Sequence, residues 1–143
     1  MEDKAFRKLR LSVLWLVYEC GAITSSIMEL WLPGFAEGLI AGELEGIGQI
    51  TPELILTLTI FLLIPPVMAF LSLTLKNSIN RWANIIAGTV FAGGALILGP
   101  VIFLAQPSAY ESYVILVGIV EFVVAALILW YAWKWPRQEE NKD

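Results

Sequence analysis

The chain has 143 residues, 58% of them hydrophobic and only 15% charged, with a mean hydropathy of +0.75 and a net charge of −4. A soluble domain of this length has too little interior to hide so much apolar surface, so its solvent is expected to be lipid. Histidine is absent and Cys20 is the single cysteine, which excludes histidine-ligated metals and haem, Ser-His and Cys-His catalysis, and any disulfide or CxxC pair.

Met1 to Arg10 carries Lys4, Arg7, Lys8 and Arg10. The apolar run that follows to Leu32 is too long for the core of a signal peptide and ends without a small-residue cleavage site. It is expected as a retained first transmembrane helix, roughly 9–32, stopped by Leu32-Pro33-Gly34. The connector 33–50 scatters Phe35, Leu39, Ile40, Leu44 and Ile47 among Glu37, Glu43 and Glu45. It fits either a short amphipathic helix on the outer surface or an irregular loop. Thr51-Pro52-Glu53 opens a second helix, roughly 51–75, with an N-cap hydroxyl, a proline in the first turn and an acid by the positive end of the dipole. Lys76-Asn77-Ser78 reads as a short polar turn before a third helix, roughly 81–105, which Gln106-Pro107 ends. Ser108 and Glu111 have capping-box spacing and open a fourth, roughly 108–135, closed by Pro136.

The expected fold class is therefore all-α: a polytopic membrane protein, a four-transmembrane-helix bundle in one domain over residues 1–143. All nine Lys and Arg residues fall in the N-terminal tail, the turn between the second and third helices, or the C-terminal end. The positive-inside rule then places both termini in the cytoplasm. Trp31, Tyr110 and Tyr113 mark the outer boundary, and Trp82, Trp130, Trp133 and Trp135 the inner one. The run Trp130–Trp135 with Lys134 reads as an interfacial anchor.

Two acids stand out at membrane depth. Glu19 and Glu121 lie near the middle of the first and fourth spans with no basic residue inside either run. The nearest in sequence to Glu19 is Arg10, about 14 Å away along a helix axis. A central acid costs roughly 2.5–3.5 kcal/mol to insert. The twelve Val, Ile, Leu and Phe residues between Val114 and Leu129 return roughly 4–7 kcal/mol on the same scale, so Glu121 is tolerated. Ionisable groups at that depth mark sites by default. If the two share a site, they titrate together and can exchange a proton for a cation. The competing role is an interhelical hydrogen bond that holds helices together.

Other features lie at similar depth. Pro65-Pro66 deprives the carbonyls of Phe61 and Leu62 of their helical donors, so a kink or local unwinding is expected there. Helical spacing places Trp15, Leu16, Ile23 and Ser26 around Glu19, and Val117, Gly118, Val124 and Ala125 around Glu121. Trp15, Ser26, Phe61, Leu62, Pro65, Pro66 and Gly118 are thus candidate pocket residues. Glu29 sits near the outer edge as a candidate gate. Asn84, Gly88, Ala92 and Ala95, with Gly93 and Gly94 beside them, form a small-residue stripe suited to close packing, with Asn84 bonding to nearby backbone.

Asn80-Arg81-Trp82-Ala83-Asn84-Ile85-Ile86-Ala87-Gly88 and Trp130-Tyr131-Ala132-Trp133-Lys134-Trp135, with the Leu11–Trp15 start, resemble a family of small prokaryotic four-helix membrane proteins of unknown function. The resemblance implies an architecture and a prokaryotic plasma-membrane location, but no activity or site residues. Small multidrug transporters are an analogy only. They share four helices and a first-helix glutamate, but none of their other features occurs here, and the charge bias opposes dual insertion.

Three functions compete. The first is a proton-linked transporter or ligand-binding protein for a cationic or hydrophobic small molecule held by Glu19 and Glu121. The second is a structural or accessory membrane protein. The third, ranked last without histidine or a metal motif, is an intramembrane enzyme acting on lipid or isoprenoid. No cofactor or metal is expected. The acidic balance gives no footprint for nucleic acid. The expected partners are the bilayer itself and a homodimer mate that would enlarge the thin interior of four helices.

Overall fold

A computed structural model describes residues 4–44, 48–105 and 112–135. The Gln106-Pro107 break, the Ser108 and Glu111 capping box, Tyr110, Glu45, Ile47 and Pro136 lie outside them. The fold is all-helical, with five helices among the described residues: α1 (Lys4–Glu29), α2 (Phe35–Ala41), α3 (Pro52–Thr74), α4 (Asn77–Ala105) and α5 (Ser112–Trp133). Between α2 and α3, β1 (Glu43–Leu44) and β2 (Gly48–Gln49) pair antiparallel. Lys4–Glu29, Pro52–Thr74 and the Ile115–Trp133 part of α5 are long and apolar enough to cross a membrane, which points to a membrane location.

Local chemistry explains the helix boundaries. Thr51 Oγ1 accepts from the Leu54 N–H at 3.2 Å, and Pro52 follows it in the first turn of α3. The connector resolves into a helix followed by a hairpin. Gly42, at φ 77°, takes the left-handed conformation that ends α2, and its N–H reaches the carbonyls of Gly38 and Leu39. The expected polar turn before α4 is shorter than its three residues, because Asn77 and Ser78 already belong to α4.

Pro65-Pro66 does not unwind its helix. α3 runs unbroken from Pro52 to Thr74 with both prolines inside. Proline's fixed φ is itself helical, and the next turn is held by Met68 and Ala69, both buried in the core.

α1 packs against α3 and α5, and α5 packs against α4, whereas α3 and α4 touch little despite being adjacent in sequence. The N-terminal ends of α1 and α4 meet the C-terminal ends of α3 and α5. Lys8 Nζ donates to the Leu75 carbonyl at 2.6 Å, and Arg10 lies over the Tyr131 ring. This end gathers Lys4, Arg7, Lys8, Arg10, Lys76, Arg81 and Lys134, and is called the basic end below.

Within residues 4–44, 48–105 and 112–135, burial is described except at 44, 98–105 and 114; among the rest, buried side chains lie within 11–18, 65–72, 77–92 and 124–135, toward the basic end. None of residues 51–63 is buried. The small-residue stripe on α4 serves the packed half through Gly88, where a Cβ would lie 3.1 Å from Leu129 Cγ and 3.4 Å from Ile128 Cγ2. Gly88→Leu is expected to push α4 off α5 and cost about 1–3 kcal/mol, read as a lower unfolding temperature in detergent. An unchanged unfolding temperature would show that the contact is not tight.

Candidate functional site

Glu19 and Glu121 stand where packing stops. Glu19 follows the buried Tyr18, Glu121 precedes the buried Val124, and both are half-buried. The Glu121 side chain lies flat on the backbone of α1 at Gly21. A Cβ there would sit 3.2 Å from Glu121 Cγ and 3.3 Å from its Oε1. Any larger residue at 21 would require the Glu121 side chain to shift by a few tenths of an ångström, so glycine permits the closest approach here.

At about 100° per residue, Tyr18 and Gly21 lie about 60° apart on α1, whereas Glu19 lies about 160° from Gly21. Glu121 therefore seats on the Gly21 side of α1, and Glu19 leaves the helix on nearly the opposite side. Glu19 Oε2 is buried with no hydrogen-bond partner among the described residues.

Below the acids, toward the basic end, lies an aromatic layer. The Tyr18 and Phe91 centroids are 5.1 Å apart, Trp15 and Phe91 5.6 Å, and Phe61 and Phe91 5.0 Å. This layer carries α3, α1 and α4 across the gap between α3 and α4. Above the acids, Cβ atoms added at Gly93, Gly94 or Gly118 would meet nothing within 4 Å. Glu19 and Glu121 thus lie just beyond the aromatic layer, on the side away from the basic end.

Beneath the floor is a polar network that sequence reasoning underrated. Trp15 Nε1 donates to Asn84 Oδ1 at 2.7 Å, and Ser72 Oγ donates to the same oxygen at 3.2 Å. Asn84 Nδ2 donates to the Asn80 carbonyl at 2.8 Å and to Asn80 Oδ1 at 2.6 Å. Asn80 Nδ2 donates to the Ser72 carbonyl at 2.6 Å, closing the last turn of α3. Trp15, Ser72, Asn80 and Asn84 are all fully buried. Asn84 does bond to nearby backbone, as expected, but it also ties α1, α3 and α4 together. The available signal was the Asn80–Asn84 spacing of four, which aligns two amides on one helical face. Ser72 carried no signal of its own.

The remaining candidate residues divide. Trp15 is a fully buried core side chain that joins both the aromatic layer and the polar network. Ser26 is exposed, and its hydroxyl returns to the Ala22 carbonyl of its own helix at 3.0 Å. Phe61 and Leu62 are both 45% exposed, Pro65 is buried and Pro66 half-buried. Glu29 is half-buried at the last residue of α1. Trp135 departs from its expected role as an interfacial anchor: it is only 3% exposed and lies beneath Arg7 of α1, whereas Trp130 and Trp133 remain exposed. No group of three metal-ligating side chains occurs among the described residues.

A family model described as "Family of unknown function (DUF6326)" matches residues 1–141. No curated protein and no solved structure matches the chain.

Proposed function

Because the chain belongs to this family of unknown function (DUF6326), which brings no activity with it, we propose a role from the site itself: a four-span membrane protein that binds and carries a cationic or amphipathic small molecule in exchange for protons. In this reading α4 is a span as well, the third of four, and the basic end faces the cytoplasm. Glu19 and Glu121 hold the ligand's charge, the aromatic layer meets its apolar body, and the ligand enters from the side away from the basic end.

One observation carries the reading. Glu121 lies on the α1 backbone at Gly21, and Glu19, two residues away in α1, has a buried carboxylate oxygen with no partner among the described residues. Like charges so placed resist joint ionisation, so a bound cation and a bound proton compete for the same carboxylates. The alternative role as hydrogen-bonding glue requires satisfied carboxyls, and the partnerless Glu19 Oε2 speaks against it.

The test is proton release. Detergent-purified protein in weakly buffered solution, given tetraphenylphosphonium as a lipophilic cation probe, is expected to release protons on binding and to bind more tightly as pH rises. Binding without proton release, at one affinity across the pH range, would remove the proton-linked reading.

A further inference from the structure

Pro65 and Pro66 leave two backbone acceptors at the depth of Glu19. α3 stays helical through both prolines, so the carbonyls of Phe61 and Leu62 lack the N–H four residues on that would bond them. Helix carbonyls point toward the C-terminal end, so these two open onto the Pro65-Pro66 turn. An acceptor at membrane depth requires a donor from protein or water. Pro65 is buried and Pro66 half-buried, which puts the Phe61 carbonyl on the inward side of α3.

The side of α1 that carries Glu19 faces α3. Lys8, Ser12 and Trp15 all lie within about 40° of Glu19 around the helix axis. Lys8 Nζ donates to the Leu75 carbonyl at the end of α3, and Trp15 Nε1 shares Asn84 Oδ1 with Ser72 of α3. Gly21 and Glu121 mark the opposite side, where α5 packs. The start of α1 meets the end of α3, so the two run antiparallel and counting gives the level. The separation from Lys8 to Glu19 leads back from Leu75 to Ile64, and that from Trp15 to Glu19 leads back from Ser72 to Met68. Glu19 therefore lies opposite 64–68, the turn that holds both prolines.

Glu19 Oε2 is buried without a partner among the described residues. An ionised carboxylate only accepts, so it gains nothing from a neighbouring carbonyl. Protonation turns one of its oxygens into a donor, and a donor is what the Phe61 carbonyl lacks. Two facing acceptors are both unsatisfied, and one proton between them satisfies both. The titratable groups at this depth are Tyr18 of α1 and Glu121 of α5. α3 brings only Glu53, in its first turn, and α4 only Arg81, at the basic end.

We propose that protonated Glu19 donates its Oε2–H to the Phe61 carbonyl that Pro65 frees, so that the proline positions the acid's proton. The bond exists only while the proton does, whereas permanent helix glue is bonded in either state. Its part in exchange rests on the proton-linked reading above. As a cation arrives, the Glu19 O–H bond breaks, the proton passes to water and the carboxylate keeps the electron pair.

The experiment is infrared difference spectroscopy of the full-length protein in detergent. It is read in the carboxylic C=O region, where a protonated carboxyl absorbs at lower frequency when hydrogen-bonded than when free. Wild-type protein is expected to show a hydrogen-bonded band that Glu19→Gln removes. Pro65→Ala returns an N–H to the Phe61 carbonyl and is expected to shift the band to higher frequency, whereas Pro66→Ala leaves it unmoved. Absence of a Glu19-dependent band throughout the pH range in which the protein stays folded overturns the proposal, as does a band indifferent to Pro65→Ala. A shift with Pro66→Ala alone overturns the choice of Phe61. If Pro65→Ala does not fold, Glu19→Asp decides: its shorter side chain withdraws the acid from α3, and a band that stays at the bonded frequency overturns the proposal. None of these readouts uses a cation, so failure of tetraphenylphosphonium to release protons removes the exchange reading and leaves the bond standing.

Discussion

Asn84→Leu is expected to lower the stability of the helical bundle by about 2–4 kcal/mol, read from reversible unfolding in mixed micelles or from the unfolding temperature. Leucine keeps the branched shape and heavy-atom count at a larger volume, but can neither accept nor donate. It leaves the Trp15 indole N–H and the Ser72 hydroxyl without their shared acceptor, and Asn80 Oδ1 without its donor. All three groups belong to fully buried residues, so water cannot replace the lost partner. An orphaned buried group costs about 1–3 kcal/mol in water-soluble proteins, and a polar contact between membrane helices is worth about 0.6 kcal/mol on average. Three such losses bracket the figure given. Trp15→Phe removes the indole donor in advance, so the double variant is expected to cost less than the sum of the two singles. Strict additivity would mean that the network does not act as a unit.

Glu121→Gln is expected to weaken tetraphenylphosphonium binding at least about tenfold at alkaline pH, and Glu19→Gln to weaken it in the same direction. Glutamine keeps the shape that lies on Gly21 but cannot ionise, so the fold is retained while the charge is removed. Two unit charges about 4 Å apart at an effective dielectric near 20 attract by about 4 kcal/mol. Desolvation takes back much of this, and a residue of about 1.4 kcal/mol already amounts to tenfold. The sign with pH follows from competition. The wild-type site must give up a proton to take a cation, so binding tightens as pH rises, whereas the variant lacking that proton shows a flatter profile. Unchanged affinity and an unchanged pH profile in both single variants would remove the carboxylates from the site.

Much of this architecture is legible from hydropathy and helix-end chemistry alone. The apolar runs anticipate α1, α3 and α5, and the Thr51 hydroxyl caps α3 as its position suggests. What a linear reading lacks is rotation about each helix axis. Depth along a helix follows from counting residues, so Glu19 and Glu121 can be matched by level. Whether they meet depends on which side of α1 receives α5, and Gly21, an unremarkable glycine in sequence, marks the side on which Glu121 lies. The same gap explains Trp15 and Ser72. A tryptophan four residues from Glu19 looks like a pocket wall until the helix faces are known, and a serine in an apolar run looks incidental until Asn84 is found opposite. At Pro65-Pro66, of the expected kink or local unwinding, the unwinding does not occur, and α3 runs through both prolines to Thr74.

The confinement of every described buried side chain to one half of the bundle has a mechanical consequence. Stiffness is distributed unevenly along the helices: the Trp15–Ser72–Asn80–Asn84 node acts as a clamp, and the lengths beyond it behave as lever arms. In α4, residues 93–97 are not buried, and the helix continues to Ala105. A tilt of about 10° at Asn84 sweeps that far end, about 30 Å away at 1.5 Å per residue, through roughly 5 Å. Such a swing toward α3 would narrow the space beyond Glu19 and Glu121. The stability of the fold and the aperture over the acids are thereby assigned to opposite ends of the same four long helices, so one can change without the other.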